Sequence, residues 1–498
     1  MSPEAIGAIM IGVMLLAIFV GFPISFTLIF LGFVFGAWGF GADLVFYLMA
    51  LQFNNVMLEQ TLAAVPLFVF MGILMEQAGL MERLFRAVQL MLSRTRGALY
   101  LAVLFVSTIF AAATGIVGAS VTILGIMAAK TMNRSGYDVK LAAGSITAGG
   151  TLGILIPPSI MLVVMGPVLE VPVTDLFAAA IIPGIMLAAM YAGYAMIRCR
   201  LNPSLGPALP ESDQPVTSPY YILEALMVVG SLVLLVVFMI MALSGTVPVV
   251  TPLVWAGIIW LVARYVKKNR PAGFFFSDLW YEFFMGLVPP SLLVAFALGS
   301  ILLGWATPTE AAACGAFGAL VLTVGYGKFS SKKFFEALIK TLEISVLILF
   351  LVAASNFFGA VFSRLGTPTM LTNLLLSWDM SQLQVLIIVM ALVFLLGWPL
   401  EWVPIVLIIV PILVPLLEEM QINLTWFGIL VAVNLQTAWL SPPVALSAYF
   451  LKGVVPEWDL KDIYLGMMQF MVIQVLGLAL ILIFPQIALW LPEYLYGN

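Results

Sequence analysis

Two stretches of this 498-residue chain carry the residue types that could hold an ion in apolar surroundings: Gly149-Gly150-Thr151-Leu152-Gly153-Ile154-Leu155-Ile156-Pro157-Pro158-Ser159 and Asn434-Leu435-Gln436-Thr437-Ala438-Trp439-Leu440-Ser441-Pro442-Pro443. Each lies midway along an apolar span. Consecutive prolines remove two backbone donors and clash with the preceding turn, so a helix unwinds there. Unwound backbone at membrane depth is tolerated only where it is buried in protein or lines a polar cavity. Freed carbonyls beside Thr and Ser hydroxyls then offer hard oxygen ligands at short spacing, which suits an alkali cation. The half-helix that starts after each break can turn its free N–H groups toward an anion. The competing reading is a packing kink, with glycine present for close helix approach. It explains one such motif as well as a site does, and two less well.

A second pair of segments precedes these motifs by similar distances, 42 residues from Gly115 to Pro157 and 45 from Gly397 to Pro442. The first supplies Thr114, Gly115, Gly118 and Ser120, which are small residues with a hydroxyl pair and exposed backbone. The second supplies Gly397 and Glu401. An ionised Glu401, between Leu400 and Trp402 in an otherwise uncharged run, needs a partner. A cation ligand, a proton carrier and a carboxylate that only reaches the outer interface stay open as its roles. The candidate substrate contacts are Gly115, Ser120, Pro157, Pro158, Ser159, Glu401, Asn434 and Pro442. No Lys, Arg or His falls among them. The charge of an anionic substrate would then be met by helix dipoles, backbone amides and bound cations, which points to cation-coupled uptake. Glu310, in Thr307-Pro308-Thr309-Glu310, reads as structural, and Lys332-Lys333 as a solvated face.

These motifs sit in a chain that is 63% apolar and 9% charged, against roughly 45–50% and about 25% in soluble domains. Continuous apolar runs of about 20 residues recur throughout, long enough to cross about 30 Å of hydrocarbon. They do not alternate as barrel strands do. The expected fold is all-α and polytopic. With no His and only Cys199 and Cys314, zinc, haem and iron–sulfur centres and His-dependent nucleophiles are excluded. A net charge of -4 leaves no nucleic-acid footprint. Met1 to Ile11 carries Glu4 and no basic residue, so the first helix is expected to be retained rather than cleaved.

The basic residues orient the chain, because short cytoplasmic loops hold positive charge. Helices are expected at about 4–20 and 24–40, then an external loop with Asp43 and Glu59. A span at 61–80 ends at Arg83, Arg86, Arg94 and Arg96. The run from Gly97 to Ala129 has basic residues beyond both ends and is too short for two crossings, so it reads as a re-entrant hairpin. A broken span at 141–169 leads out, and 176–197 returns to Arg198 and Arg200. A linker with Pro203, Pro207, Pro210, Pro215 and Pro219 follows, then spans at 221–243, 247–263, 280–303, 308–327 and 341–362. Leu383 to Leu417, flanked by Asp379, Glu418 and Glu419, reads as a second hairpin entered from outside. A broken span at 425–450 and a last span at 463–490 complete the chain. Every Lys and Arg except Arg364 then lies in the cytoplasm, and both termini are external.

Landmarks recur at an offset near 285. Pro23 matches Pro308, Pro157-Pro158 matches Pro442-Pro443, Thr114-Gly115 matches Gly397-Trp398, and Gly166 matches Gly453. One copy begins outside and the other inside, which is the inverted-repeat plan of many secondary transporters. The expected organisation is a first repeat over 1–200 (scaffold helices, hairpin at about 97–129, broken helix 141–169), a linker with an extra helix pair over 201–275, and a second repeat over 276–498 (hairpin at about 383–417, broken helix 425–450).

At these residues the sequence resembles the large membrane (M) subunit of tripartite ATP-independent periplasmic (TRAP) transporters, in the ion-transporter superfamily. The resemblance rests on Pro66-Leu67-Phe68-Val69-Phe70-Met71-Gly72, Phe110 to Gly125, Ser135-Gly136-Tyr137, Gly150 to Ser159, Gly304 to Ala313, the second hairpin and Pro442-Pro443, and it covers essentially the whole chain. The long segment 200–275 and the tip Ala-Thr-Gly-Ile-Val-Gly-Ala-Ser resemble the mannitol/chloroaromatic subfamily. The resemblance implies sodium-driven import of an organic acid by an elevator mechanism. It also implies a small four-helix membrane (Q) subunit and a periplasmic substrate-binding (P) protein as partners, and a bacterial inner-membrane location. Na+ would be the coupling ion, with no other cofactor. It would sit between each hairpin tip and its broken helix, at Thr114, Gly115, Gly150, Thr151 and Ile156, and at Gly397, Trp398, Thr437 and Ser441. The alternatives are a stand-alone transporter or antiporter of the same superfamily and an integral-membrane enzyme. The latter lacks the acidic or His-containing cluster it would need.

Overall fold

The computed structural model describes residues 2–114, 117–209, 276–398, 400, 402–442 and 445–497, with isolated positions between 230 and 261. Gly115, Pro399, Glu401, Pro443, the linker from Pro210 on and most of the spans expected at 221–263 lie outside the described residues. The described residues are helical, without strands.

The first repeat runs α1 (Pro3–Val20), α2 (Ile24–Phe40), α3 (Ala42–Leu58), α4 (Ala64–Gln77) and α5 (Leu80–Met91). Next come the hairpin arms α6 (Ala98–Thr114) and α7 (Val117–Arg134), the broken helix α8 (Val139–Thr151) and α9 (Ile160–Leu169), and α10 (Val173–Leu201). The second repeat runs α11 (Phe276–Leu302), α12 (Pro308–Gly325), α13 (Ser331–Arg364) and α14 (Thr367–Leu376). It continues with the hairpin arms α15 (Gln382–Leu396) and α16 (Trp402–Glu419), the broken helix α17 (Leu424–Leu440) and α18 (Leu446–Val454), and α19 (Leu460–Ile483). A final helix, α20 (Gln486–Tyr496), has no counterpart in the first repeat.

Packing obeys the repeat. α4 packs on α12 as α2 packs on α13, α5 on α11 as α1 on α14, α8 on α19 as α10 on α17, and α7 on α18 as α9 on α16. Each hairpin therefore rests against the half-helix of the other repeat. Local chemistry sets the starts. Asp138 accepts from Leu141 N at 2.8 Å to open α8, and Asn423 accepts from Trp426 N at 3.0 Å to open α17. The pairs Ser381/Gln384 and Thr307/Glu310 are capping boxes opening α15 and α12. Glu310 thus has the structural role its position suggested, with its carboxylate accepting from Thr307 N at 2.8 Å.

Three boundaries differ from expectation. The loop placed after residue 40 is the helix α3. It aligns, at the repeat offset, with the first half of α13, which runs unbroken for 34 residues, about 51 Å at 1.5 Å per residue. That exceeds the hydrocarbon thickness, so the half of α13 carrying Lys332, Lys333 and Lys340 is not part of a crossing. The span placed at 61–80 is α4 followed by the separate α5, whose Arg83 pairs with Glu282 at 3.7 Å and lies over the Tyr326 ring. The span placed at 463–490 divides at Phe484-Pro485 into α19 and α20, because Pro485 has no N–H to continue the ladder.

Candidate functional site

Both predicted breaks are present. α8 ends at Thr151, passes through one 3-10 turn (Leu152–Ile154) and stays unwound until Ile160. α17 ends at Leu440, and α18 resumes at Leu446 after Ala445 in the left-handed region. The Pro157–Pro158 peptide is cis. Thr151, Ser159, Thr437 and Ser441 are all buried. Ser159 donates its hydroxyl to Ile154 O, across the first break, and so caps no amide of α9. α18 likewise has no side-chain cap. No side chain therefore occupies the first-turn N–H groups of either half-helix, although in α18 Ala448 N already donates to Ala445 O at 2.8 Å.

Glycine lets each hairpin approach its own broken helix. A Cβ on Gly149 would come 2.6 Å from Ser107 Oγ in α6, and one on Gly150 would meet Val121 in α7, including its backbone N at 3.1 Å. The two arms of the first hairpin thus straddle the glycine pair just before Thr151. In the second repeat a Cβ on Gly397 would come 2.6 Å from the Ala438 side chain. The neighbouring Trp398 donates its indole N–H to Ser441 Oγ at 2.8 Å. The hairpin arms therefore meet the helix just before the break in the first repeat, and the hairpin tip meets the break in the second. Ile156 packs on Gly184 of α10, and Gly118, beside Ser120, packs on the Phe450 ring of α18.

Three of the candidate hydroxyls give their single proton to backbone. Thr151 donates to Ala148 O at 2.8 Å, Thr437 to Val433 O at 3.2 Å, and Ser441 to Ala438 O at 3.2 Å. A hydroxyl with its proton fixed this way still has lone pairs to offer. Among the described residues no three His, Cys, Asp or Glu side chains gather around a point. The donor set is one of hydroxyl and carbonyl oxygens, which suits a hard monovalent ion better than a transition metal. Asn434 belongs to the motif, and its amide donates to Met390 O in the hairpin arm α15 at 2.6 Å. Pro157, Pro158 and Pro442 line the breaks as expected, while Gly115 and Glu401 fall outside the described residues.

Sequence reasoning missed three buried groups nearby. Gln474 in α19 donates to Gln436 Oε1 at 2.6 Å and to Val433 O at 3.3 Å. Gln436 Nε2, Gln474 Oε1 and the Tyr191 hydroxyl have no well-formed hydrogen bond. The only signal for them in the sequence is a polar residue inside a long apolar run.

A family model described as the tripartite ATP-independent periplasmic transporter, DctM component, matches residues 11–487. The chain belongs to this family. Among curated relatives, the sialic acid TRAP transporter large permease protein SiaM of Vibrio cholerae is 27% identical over 96% of this chain and 97% of its own length. The C4-dicarboxylate TRAP transporter large permease protein DctM of Pseudomonas aeruginosa is 27% identical over 90% of each. In fold, the chain matches the crystal structure of the YdaH transporter of Alcanivorax borkumensis with a TM-score of 0.55. That match covers 91% of this chain and 89% of the other at 16% identity. This TRAP large permease subunit is a multi-pass inner-membrane transport protein and not an enzyme. Eight of its described helices are long and apolar enough to cross a membrane.

Proposed function

We propose that this TRAP permease carries a small organic acid inward with sodium, receiving it from a soluble periplasmic binding protein and working beside a small four-helix membrane subunit. The observation that carries this reading is the state of the hydroxyls at the breaks. Thr151, Thr437 and Ser441 have their protons fixed on backbone carbonyls, which leaves lone pairs for a cation beside half-helix amides that no side chain caps. Sodium then occupies one position among Thr114, Gly115, Gly150, Thr151 and Ile156 and another among Gly397, Trp398, Thr437 and Ser441. The substrate lies between the two tips, in reach of Ser120, Ser159 and the residues around Pro158 and Pro442. With no basic side chain among these residues, the bound cations and the helix ends balance the acid's charge. The relatives named for sialic acid and C4-dicarboxylates handle carboxylic acids, which supports the substrate class.

Hairpins and broken helices move together against a scaffold of the remaining helices. A cavity of about 450 Å³ lies at that boundary, between α3 and α13 on one side and α9 and α16 on the other, with Gln52, Asn55, Glu170 and Asn356 in its lining. Uptake of the acid into proteoliposomes holding this chain with the small subunit is expected to need the loaded binding protein outside and an inward sodium gradient. Uptake that continues when potassium replaces sodium and no pH gradient exists would sink the coupling.

In this orientation both termini face the periplasm. With the exposed Cys314 replaced by Ala, a cysteine at Glu493 is expected to react with a membrane-impermeant maleimide in spheroplasts, and one at Lys332 only after permeabilisation. The opposite labelling pattern would invert the topology.

A further inference from the structure

Each repeat backs its candidate threonine with a polar side chain from the helix that follows the broken helix. In the first, Tyr191 of α10 is fully buried and its hydroxyl lies beside Thr151, without closing a well-formed hydrogen bond. In the second, Gln474 of α19, equally buried, donates into the Val433 carbonyl that also receives the Thr437 hydroxyl. Tyr191 and Gln474 are 283 positions apart, the same separation as Thr114 and Gly397. Phe470 connects them, with its ring edge-on to Tyr191 at 5.7 Å and its position one turn before Gln474 on α19.

Folding accounts for the Tyr191 ring but not for its hydroxyl. The ring fills space against Phe470, whereas a buried hydroxyl that closes no well-formed hydrogen bond adds nothing to stability. The same holds for the free ends of Gln436 and Gln474. We propose that Tyr191 and Gln474 are positioning residues for the two sodium positions. This rests on the sodium reading given above. Thr151 has its proton on Ala148 O, so one lone pair can meet the ion while another accepts from Tyr191, fixing the ligand oxygen in place. Gln474 does the equivalent one bond further back by pinning the Val433 to Thr437 turn against α19. Neither side chain touches the ion. Groups placed behind a ligand in this way orient it and raise its basicity, and losing one commonly lowers metal affinity by about tenfold or more.

The test uses the complete transporter in proteoliposomes. Tyr191→Phe keeps the ring and removes a hydroxyl that closes no well-formed hydrogen bond, so its melting temperature should stay close to wild type. Its half-saturating sodium concentration should rise by about tenfold, with the substrate half-saturation measured at saturating sodium unchanged. Gln474→Leu alone leaves Gln436 facing apolar surroundings and risks misfolding, so the second variant combines it with Gln436→Leu and removes the whole carboxamide pair. The same rise is expected there. If wild-type uptake depends on sodium and both variants keep its sodium activation, positioning is overturned and the coupling stands. A substrate half-saturation that moves as far as the sodium value indicates general loosening and also overturns positioning. Wild-type uptake that ignores sodium overturns the coupling itself, and this inference with it.

Discussion

Gly466→Ala is expected to abolish transport and to remove most of the folded protein. Gly466 of α19 lies directly against the backbone carbonyl of Lys140 at the start of α8, so any Cβ there collides with Lys140 O and stands 3.1 Å from Gly144 N. One turn further on, the seam is closed again by Phe470, which would lie 2.5 Å from a Cβ on Gly144. The helices therefore cannot slide past the intruding methyl, and neither opposing atom belongs to a side chain that can rotate away. Overpacking a core costs about 1–3 kcal/mol when side chains can adjust, and here α8 and α19 must separate. That movement pulls Thr151 and the α17 contacts of α19 apart, so function is lost even in molecules that still fold. The measurements are the yield of monodisperse protein in detergent, its melting temperature, and uptake. Gly12→Ala serves as control, because a Cβ on Gly12 meets nothing within 4 Å. Wild-type melting and uptake in Gly466→Ala would show that the α8–α19 seam is looser than its geometry.

The breaks, the hairpins and the repeat were legible in the sequence because their causes are local. Two prolines in a row unwind a helix whatever surrounds it, and a short apolar run with basic residues beyond both ends, or beyond neither, leaves a hairpin as the simplest path. Helix α3 was not legible. Asp43, Gln52, Asn54 and Asn55 dilute its apolar run enough to resemble an external loop, although the segment is helical from Ala42 to Leu58 and aligns with the first half of α13. The direction of side chains was less legible still. Asn434 sits in the motif, yet its amide points to Met390 in the hairpin arm, since motif membership fixes the turn of a helix and not the neighbour it faces. Gln474 and Tyr191 stand far in sequence from the threonines they approach. Their placement depends on how α19 and α10 are rotated against the broken helices, which no local pattern encodes.

Ser441→Ala is expected to damage sodium activation, whereas Trp398→Phe damages mainly the turnover rate, and the contrast separates two roles held by one oxygen. Ser441 Oγ donates to Ala438 O at 3.2 Å and accepts from the Trp398 indole at 2.8 Å. A hydroxyl has two lone pairs, so one remains for a cation after the tryptophan is bound. Removing the oxygen deletes both the ligand and the latch between hairpin tip and break. Half-saturating sodium should then rise by about tenfold or more, by comparison with losses seen even for groups behind a ligand. Trp398→Phe keeps the oxygen and an aromatic ring against Phe394, which the tryptophan meets edge-on at 5.4 Å. It loses one hydrogen bond of about 0.5–1.5 kcal/mol, so the maximal rate should fall by a factor of roughly 2–13 while the sodium requirement holds nearly constant. Because the latch needs both partners, the double variant should be no slower in turnover than Ser441→Ala alone, the non-additivity expected of groups in contact. Sodium-dependent uptake by the four proteins, with protein in the membrane quantified, decides the matter. Equal sodium requirements in Ser441→Ala and wild type would remove Ser441 from the ligands and leave it as a latch, and the second sodium position would then have to be built without it.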